Sequence, residues 1–78
     1  MMIHEMPGIG KVNEEKLMQS GISSAEELIN IGSKEAFLKV RSSVDPGACL
    51  HMLYGLEAGI RGIPKKLLPV EVKNDLKN

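Results

Sequence analysis

The residues best suited to chemistry belong to a short glycine turn near the start of the chain, Pro7-Gly8-Ile9-Gly10. Glycine carries no Cβ, so the backbone of a Gly-x-Gly turn can approach a ligand closely. Helix-forming residues follow from Lys11, and the amides and positive dipole end of a helix start favour phosphate groups. The turn therefore predicts a phosphate site, although short glycine turns also occur for purely structural reasons. The candidate nucleic-acid-binding residues are Gly8, Ile9, Gly10, Lys11 and Lys16.

Two other reactive side chains, Cys49 and His51, do not predict catalysis. They stand two residues apart, so on a helix they point in different directions and cannot act as nucleophile and base. Apolar neighbours predict that Cys49 is an inert thiol in the core. His4 has no metal-ligating partner at a recognised spacing, and the sequence contains no phosphate-loop or dinucleotide motif. We therefore expect no catalytic residues, no metal site and no cofactor, and so no enzymatic activity.

The charge balance constrains the partner. Ten basic and ten acidic side chains give a net charge of zero. Proteins that bind duplex nucleic acid through long-range attraction usually carry a basic excess, because binding releases counterions from the phosphates. Such binding would need a local basic surface, with Lys11 and Lys16 near the turn and Lys34, Lys39 and Arg41 further along the chain. Phe37 and Tyr54 are the only aromatic residues, so stacking on single strands is not expected.

Cysteine usage and hydropathy bear on location. The single cysteine excludes an internal disulfide and fits a reducing cytoplasm. No apolar run reaches the roughly 20 residues of a membrane span, and the first residues lack a signal-peptide pattern. We expect one cytoplasmic domain over residues 1–78 with no membrane contact, too small for a deep active-site cleft.

Five helices are predicted to position the turn. Each is marked by apolar residues at helical spacing and by start or stop residues, and no strand-like alternation of useful length occurs. Val12, Leu17 and Met18 are predicted to form the inward face of the first helix, and Ser33 to cap the third. The helices are predicted at about residues 11–20, 25–31, 34–43, 46–61 and 69–76.

The predicted helix at 46–61 is the least polar segment, and its apolar residues on most faces indicate a buried core helix. Asp45 and Pro46 are typical of a helix N-cap and first position. Gly55 and Gly59 lie one turn apart and predict a shallow groove into which a neighbouring helix packs. The predicted fold class is all-α: a compact bundle of about five short helices around this buried helix, with a helix-hairpin-helix-like turn at 7–10.

Two resemblances to known families support this interpretation. The turn and the helix after it, with Gly21-Ile22 downstream, resemble the second half of the helix-hairpin-helix motif of many DNA-binding proteins. Over residues 6–76 the chain resembles the C-terminal domain of TfoX-like regulators of natural competence. The elements that carry this second resemblance are Ala48-Cys49-Leu50, Leu53-Tyr54, Leu56-Glu57 and Leu68-Pro69.

The resemblance implies a non-catalytic helical domain, associated with transcriptional control of DNA-uptake genes, with DNA or another protein as its partner. Our first hypothesis is that the amides of Gly8, Gly10 and Lys11 contact the backbone of duplex DNA. The alternative is a domain that binds another protein or itself, with the turn only structural, and the neutral net charge favours it. TfoX-like regulators commonly carry a separate N-terminal α/β domain, which these 78 residues do not contain. Two local departures limit what the resemblance implies about DNA binding. Few residues precede Pro7, where a full helix is usual, and Glu14 stands where a small residue is usual and would weaken anion binding if it points inward.

Overall fold

The computed structural model describes residues 2–77 and contains α-helices joined by short turns. No strand occurs within these residues, so the all-α prediction is confirmed. Short 3-10 turns at Ile3–Glu5 and Lys65–Leu67 precede the first and last helices. The five helices are α1 (Lys11–Gln19), α2 (Ala25–Ile31), α3 (Ser33–Ser43), α4 (Leu50–Arg61) and α5 (Val70–Lys77).

The end of α1 is set by local sequence. Gly21 follows the helix with φ of +99°, a left-handed conformation that glycine adopts without strain. The amide of Ile22 then donates to the carbonyl of Leu17 at 2.9 Å, which closes the last turn and returns the buried Ile22 side chain to the core. The predicted helix end is therefore confirmed.

The start of α4 differs from the prediction. The helix begins at Leu50, whereas the sequence predicted a start at Pro46. Asp45 accepts hydrogen bonds from the Gly47 amide through its side chain (3.1 Å) and from the Ala48 amide through its carbonyl (3.0 Å). Aspartate followed by proline and glycine also suits a β-turn, and here these local hydrogen bonds form a turn between α3 and α4.

Ser33 does not cap α3. The helix begins at Ser33 itself, and the buried hydroxyl donates to Oε1 of Glu57 on α4 at 2.6 Å. Arg61 donates to the other oxygen of the same carboxylate, also at 2.6 Å. Partial burial raises the pKa of Glu57, but the hydrogen bonds from Ser33 and Arg61 more than offset it, so the pKa lies below its ordinary value. A charge-assisted hydrogen bond thus joins α3 to α4.

The core surrounds α4, as the sequence predicted, but α1 contributes less than expected. Leu17 is fully buried, whereas Val12 and Met18 are 67% and 53% exposed. At about 100° per residue, these two side chains lie roughly 140° and 100° from Leu17 around the helix, so one buried face cannot hold all three. The main cluster comprises Ile3, Met6, Ile9, Leu17, Ile22, Ala25, Leu28, Ala36, Phe37, Val40, Met52, Leu53 and Leu56.

The last helix, α5, packs on the other end of the core. Tyr54 and Ala58 of α4 form a second buried cluster with Leu68, which lies in the chain before α5. Val72 and Leu76 of α5 pack against this cluster and are partly buried, in agreement with the predicted inward stripe. Leu76 and Lys77 of α5 also line a groove together with residues of α3 and α4.

Candidate nucleic-acid interface

The predicted turn is a four-residue β-turn. The Ile9 amide donates to the Met6 carbonyl at 3.2 Å, with Pro7 and Gly8 at the two central positions. Proline fixes the first central residue, and Gly8 has φ of +80°, as the second central residue of a type II turn requires. Residues with a Cβ are strained at this position. The Pro-Gly pair therefore determines the shape of the turn locally.

This turn is seated on two glycines of α4. A Cβ atom on Gly55 would lie 3.0 Å from the carbonyl oxygen of Gly8. A Cβ on Gly59 would lie 2.6 Å from Cδ1 of Ile9 and 3.2 Å from the carbonyl oxygen of Pro7. The groove predicted from the glycine spacing exists, but the turn fills it and no helix does. The turn is therefore packed directly against the central helix.

The exposed side of the turn carries amides without protein partners. Within residues 2–77, no group accepts a hydrogen bond from the amides of Gly8, Gly10 or Lys11. Gly10 is the N-cap of α1 and supplies no side-chain cap, and all three residues are exposed. Free amides at the start of a helix carry partial positive charge, which favours an anion.

Glu14, the acidic residue that the sequence identified beside this site, is hydrogen-bonded to His4. Oε2 of Glu14 accepts hydrogen bonds from Nδ1 of His4 at 2.9 Å and from the His4 amide at 3.0 Å. The side-chain hydrogen bond from His4 is the main reason that the pKa of Glu14 lies below its ordinary value. The ionised carboxylate therefore ties the 3-10 turn Ile3–Glu5 to α1, a use that the sequence did not predict.

An open cleft of about 400 Å³ lies beside the turn. It separates the turn and α1 from the start of α4. Lys65 approaches from the following connection, and its amide nitrogen lies 3.7 Å from the position of a Cβ on Gly8. The polar and charged side chains that line the cleft are Asn13, Lys16, Asp45, His51 and Lys65.

Lys16 forms an ion pair with Asp45 across this cleft. Its Nζ lies 2.7 Å from Oδ2 of Asp45, and this hydrogen bond is the main reason that the pKa of Asp45 lies below its ordinary value. Both side chains remain about one-third exposed. Lys16 thus lines the same cleft as Gly8, but Asp45 offsets its charge.

The structure therefore separates the predicted site residues into three groups. Gly8, Gly10 and Lys11 are exposed and adjacent on the turn and the helix start. The Ile9 side chain is buried at 4% exposure, so it holds the turn in place and only its backbone is near a ligand. Lys16 lies a turn and a half further along α1, in its ion pair with Asp45.

Lys65 is the cation that sequence reasoning did not include in the site. The sequence showed Lys65 and Lys66 only as part of a linker after Pro64. The position of Lys65 beside the turn depends on α4 running past Gly8, and no local pattern reveals that path. The sequence feature that could have located Lys65 was the spacing of Gly55 and Gly59, because close backbone approach at α4 brings the end of that helix near the turn.

Cys49 is exposed, so the prediction of a core thiol is wrong. It occupies the N-cap position of α4, outside the apolar helix to which the sequence assigned it. His51 is also exposed, with its ring edge-on to Tyr54. In the described part of the chain, no three or more His, Cys, Asp or Glu side chains are grouped as metal ligands. No helix among the same residues has the length and apolar character needed to span a membrane.

Comparison with known protein families shows which family the chain belongs to. A family model described as the TfoX C-terminal domain matches residues 1–78. The chain belongs to the TfoX C-terminal domain family. The resemblance over residues 6–76 is thus confirmed, and the family match extends it to residues 1–78. A search of curated proteins found no match for this TfoX C-terminal domain.

Two solved structures share the fold of this TfoX C-terminal domain. A triclinic crystal structure of an uncharacterized protein from Listeria monocytogenes is 40% identical, with a TM-score of 0.94. The match covers 99% of this chain and 86% of that one. A tetragonal crystal structure of a protein of unknown function from Listeria monocytogenes is 41% identical, with a TM-score of 0.91, and covers 96% and 90% of the two chains.

Proposed function

We propose that this TfoX C-terminal domain is a cytoplasmic, non-catalytic module that contacts the phosphate backbone of duplex DNA through its glycine turn. The observation that carries this proposal is the seating of the turn on Gly55 and Gly59, which holds the free amides of Gly8, Gly10 and Lys11 in one exposed group. Rigid donors at a helix start receive a phosphate without first losing conformational freedom.

Local charge supports the same function although the net charge is zero. Lys11 is exposed at the start of α1, and Lys65 lies beside Gly8 across the cleft. Lys66, the next residue, is also exposed. Phosphate contacts of this kind position a protein on duplex DNA without reading its bases, so binding is expected to be weak, salt-dependent and largely independent of sequence. A regulatory role would then require a further source of specificity.

Fluorescence anisotropy of a labelled duplex, titrated with the domain at about 50 and about 200 mM salt, tests this proposal. We expect the affinity of the unmodified domain to fall steeply with salt. Lys11→Glu and Lys65→Glu should weaken binding and flatten the salt dependence. Lys39→Glu is the matched control, because Lys39 is exposed on α3 and lies outside the cleft. Absence of binding at low salt, or equal effects of all three variants, would contradict the proposal.

The second candidate is a domain that binds another protein or itself, with the turn only structural. Its support is the exposure of large apolar side chains on several helices, including Ile29, Leu38 and Val70. Contiguous exposed apolar surface marks interaction sites, and among these exposed side chains Leu38 and Leu50 line one groove. A mass that rises with protein concentration in light scattering, without any DNA binding, would favour self-association over the first candidate.

A further inference from the structure

A second surface of the domain is apolar and open. α3, α4 and α5 enclose a groove of about 240 Å³. Its floor includes Phe37 and Leu53, which belong to the buried core. Leu38 and Leu50 also line it and remain 54% and 40% exposed. A shallower depression that shares Leu38 continues the surface to Pro46. None of these residues belongs to the glycine turn.

The ionisable side chains that line this groove are all basic. They are Lys34 and Arg41 on α3 and Lys77 on α5. Within residues 2–77, none of the three forms an ion pair. Unpaired cations beside an apolar floor attract a partner with carboxylates at matching positions and disfavour a basic one. The groove therefore has a charge preference that the zero net charge of the chain conceals.

The spacing along α3 indicates the shape of the partner. Lys34, Leu38 and Arg41 recur at the i, i+4 and i+7 positions of one exposed stripe. This stripe extends for about two helical turns, or roughly 10 Å. A partner helix laid along it would present apolar residues at the same spacing to the groove.

We propose that this groove binds an amphipathic helix of another protein, with apolar residues facing Leu38 and Leu50 and acidic residues facing Lys34, Arg41 and Lys77. The apolar contacts supply the affinity and the basic rim selects acidic helices. The surface is separate from the glycine turn, so this inference specifies a site for the second candidate function without depending on DNA binding.

Two synthetic peptides of about 18 residues test the groove, because helices of this length form readily on binding. Both carry leucines at i, i+3, i+4 and i+7, with glutamates flanking that stripe in one peptide and lysines in the other. We expect the glutamate peptide to shift the backbone amide signals of Lys34, Leu38 and Arg41 in two-dimensional NMR of the whole domain. The lysine peptide should bind at least about tenfold more weakly.

Matched variants distinguish binding in this groove from nonspecific hydrophobic binding elsewhere on the domain. Leu38→Glu and Arg41→Glu should weaken binding of the glutamate peptide by about tenfold or more. Ile29→Glu is the control for the first, since Ile29 is 53% exposed and lies outside the groove, and Lys39→Glu is the control for the second. Equal binding of both peptides, no binding at millimolar peptide, or shifts confined to other residues would overturn the proposal. Self-association abolished by Leu38→Glu would also overturn it, because a second copy would then be the occupant.

Discussion

Gly59 and Ile9 approach each other so closely that a Cβ atom on Gly59 would lie 2.6 Å from Cδ1 of Ile9. The two residues are far apart in the sequence, yet the absence of one side chain makes room for the other. Ile9 is buried as a result, and the glycine turn that it anchors is fixed against α4. The exposed amides of the turn therefore depend on a glycine in a helix that does not itself contact the proposed ligand.

Alanine at this contact is expected to destabilise the fold. In an open helix position, glycine to alanine stabilises by roughly 1 kcal/mol. At Gly59 and at Gly55 the added methyl group meets Ile9 or the Gly8 carbonyl oxygen, and overpacking of this kind costs about 1–3 kcal/mol. We expect Gly59→Ala and Gly55→Ala to lower the free energy of unfolding measured with denaturant. Gly47→Ala is the control, because Gly47 lies in the turn before α4, has no positive φ, and its added Cβ would make only an ordinary 3.5 Å contact with Oδ1 of Asp45. A gain in stability for the two α4 variants would show that the turn is not seated there.

Acid is expected to destabilise the domain through three carboxylates. Glu14, Asp45 and Glu57 all have pKa values below the ordinary 4.5 of glutamate or 3.8 of aspartate. The unfolded chain therefore binds protons more readily, so the stabilisation is present above the ordinary values and is lost as pH falls through the lowered ones. We expect the thermal midpoint to decline as pH drops below 4.5. Glu57→Gln should show a shallower decline, and an identical pH profile would contradict the role given to Glu57.

Release of Lys16 from its ion pair is expected to strengthen DNA binding, if the proposed function is right. Asp45→Asn removes one negative charge from the cleft beside the turn and frees Lys16, while an amide oxygen can still accept from Gly47. We expect a gain in affinity of about two- to tenfold at low salt, measured by anisotropy. Asp75→Asn makes the same charge change on exposed α5, outside the cleft, and should have a smaller effect. Equal gains would indicate only a response to net charge.

Cys49 is expected to react in the folded protein. Its exposure at the start of α4 predicts that one equivalent of a thiol reagent such as 5,5′-dithiobis(2-nitrobenzoic acid) modifies it without denaturant. A core thiol, which the sequence predicted, would react only after unfolding. The measurement is the absorbance of the released thiolate in native buffer and in denaturant. Labelling that requires denaturant would contradict the position of Cys49 before α4.

Local sequence was sufficient for the number and order of the helices, for most of their ends and for the shape of the turn, but not for the start of α4. Gly21 ends α1, and Ser24 accepts a hydrogen bond from the Glu27 amide at the start of α2. The Pro7-Gly8 pair sets a type II turn that leads into α1. These features involve groups within about five positions of one another, so short-range sterics and hydrogen bonds decide them. The apolar character of α4 likewise predicted the core.

Only the tertiary structure decided which surfaces meet. The hydroxyl of Ser33 donates to Glu57, 24 residues away, although local sequence predicted that Ser33 caps α3. Lys16 donates to Asp45, 29 residues away, although local sequence predicted that Asp45 starts a helix. The occupant of the α4 glycine groove and the position of Lys65 beside the turn depend on the same packing. Such contacts arise from the fit of distant apolar faces, which periodicity along one helix does not specify. The sequence by itself therefore determined the family, the helices and a candidate turn. Packing decided which cations and amides surround that turn.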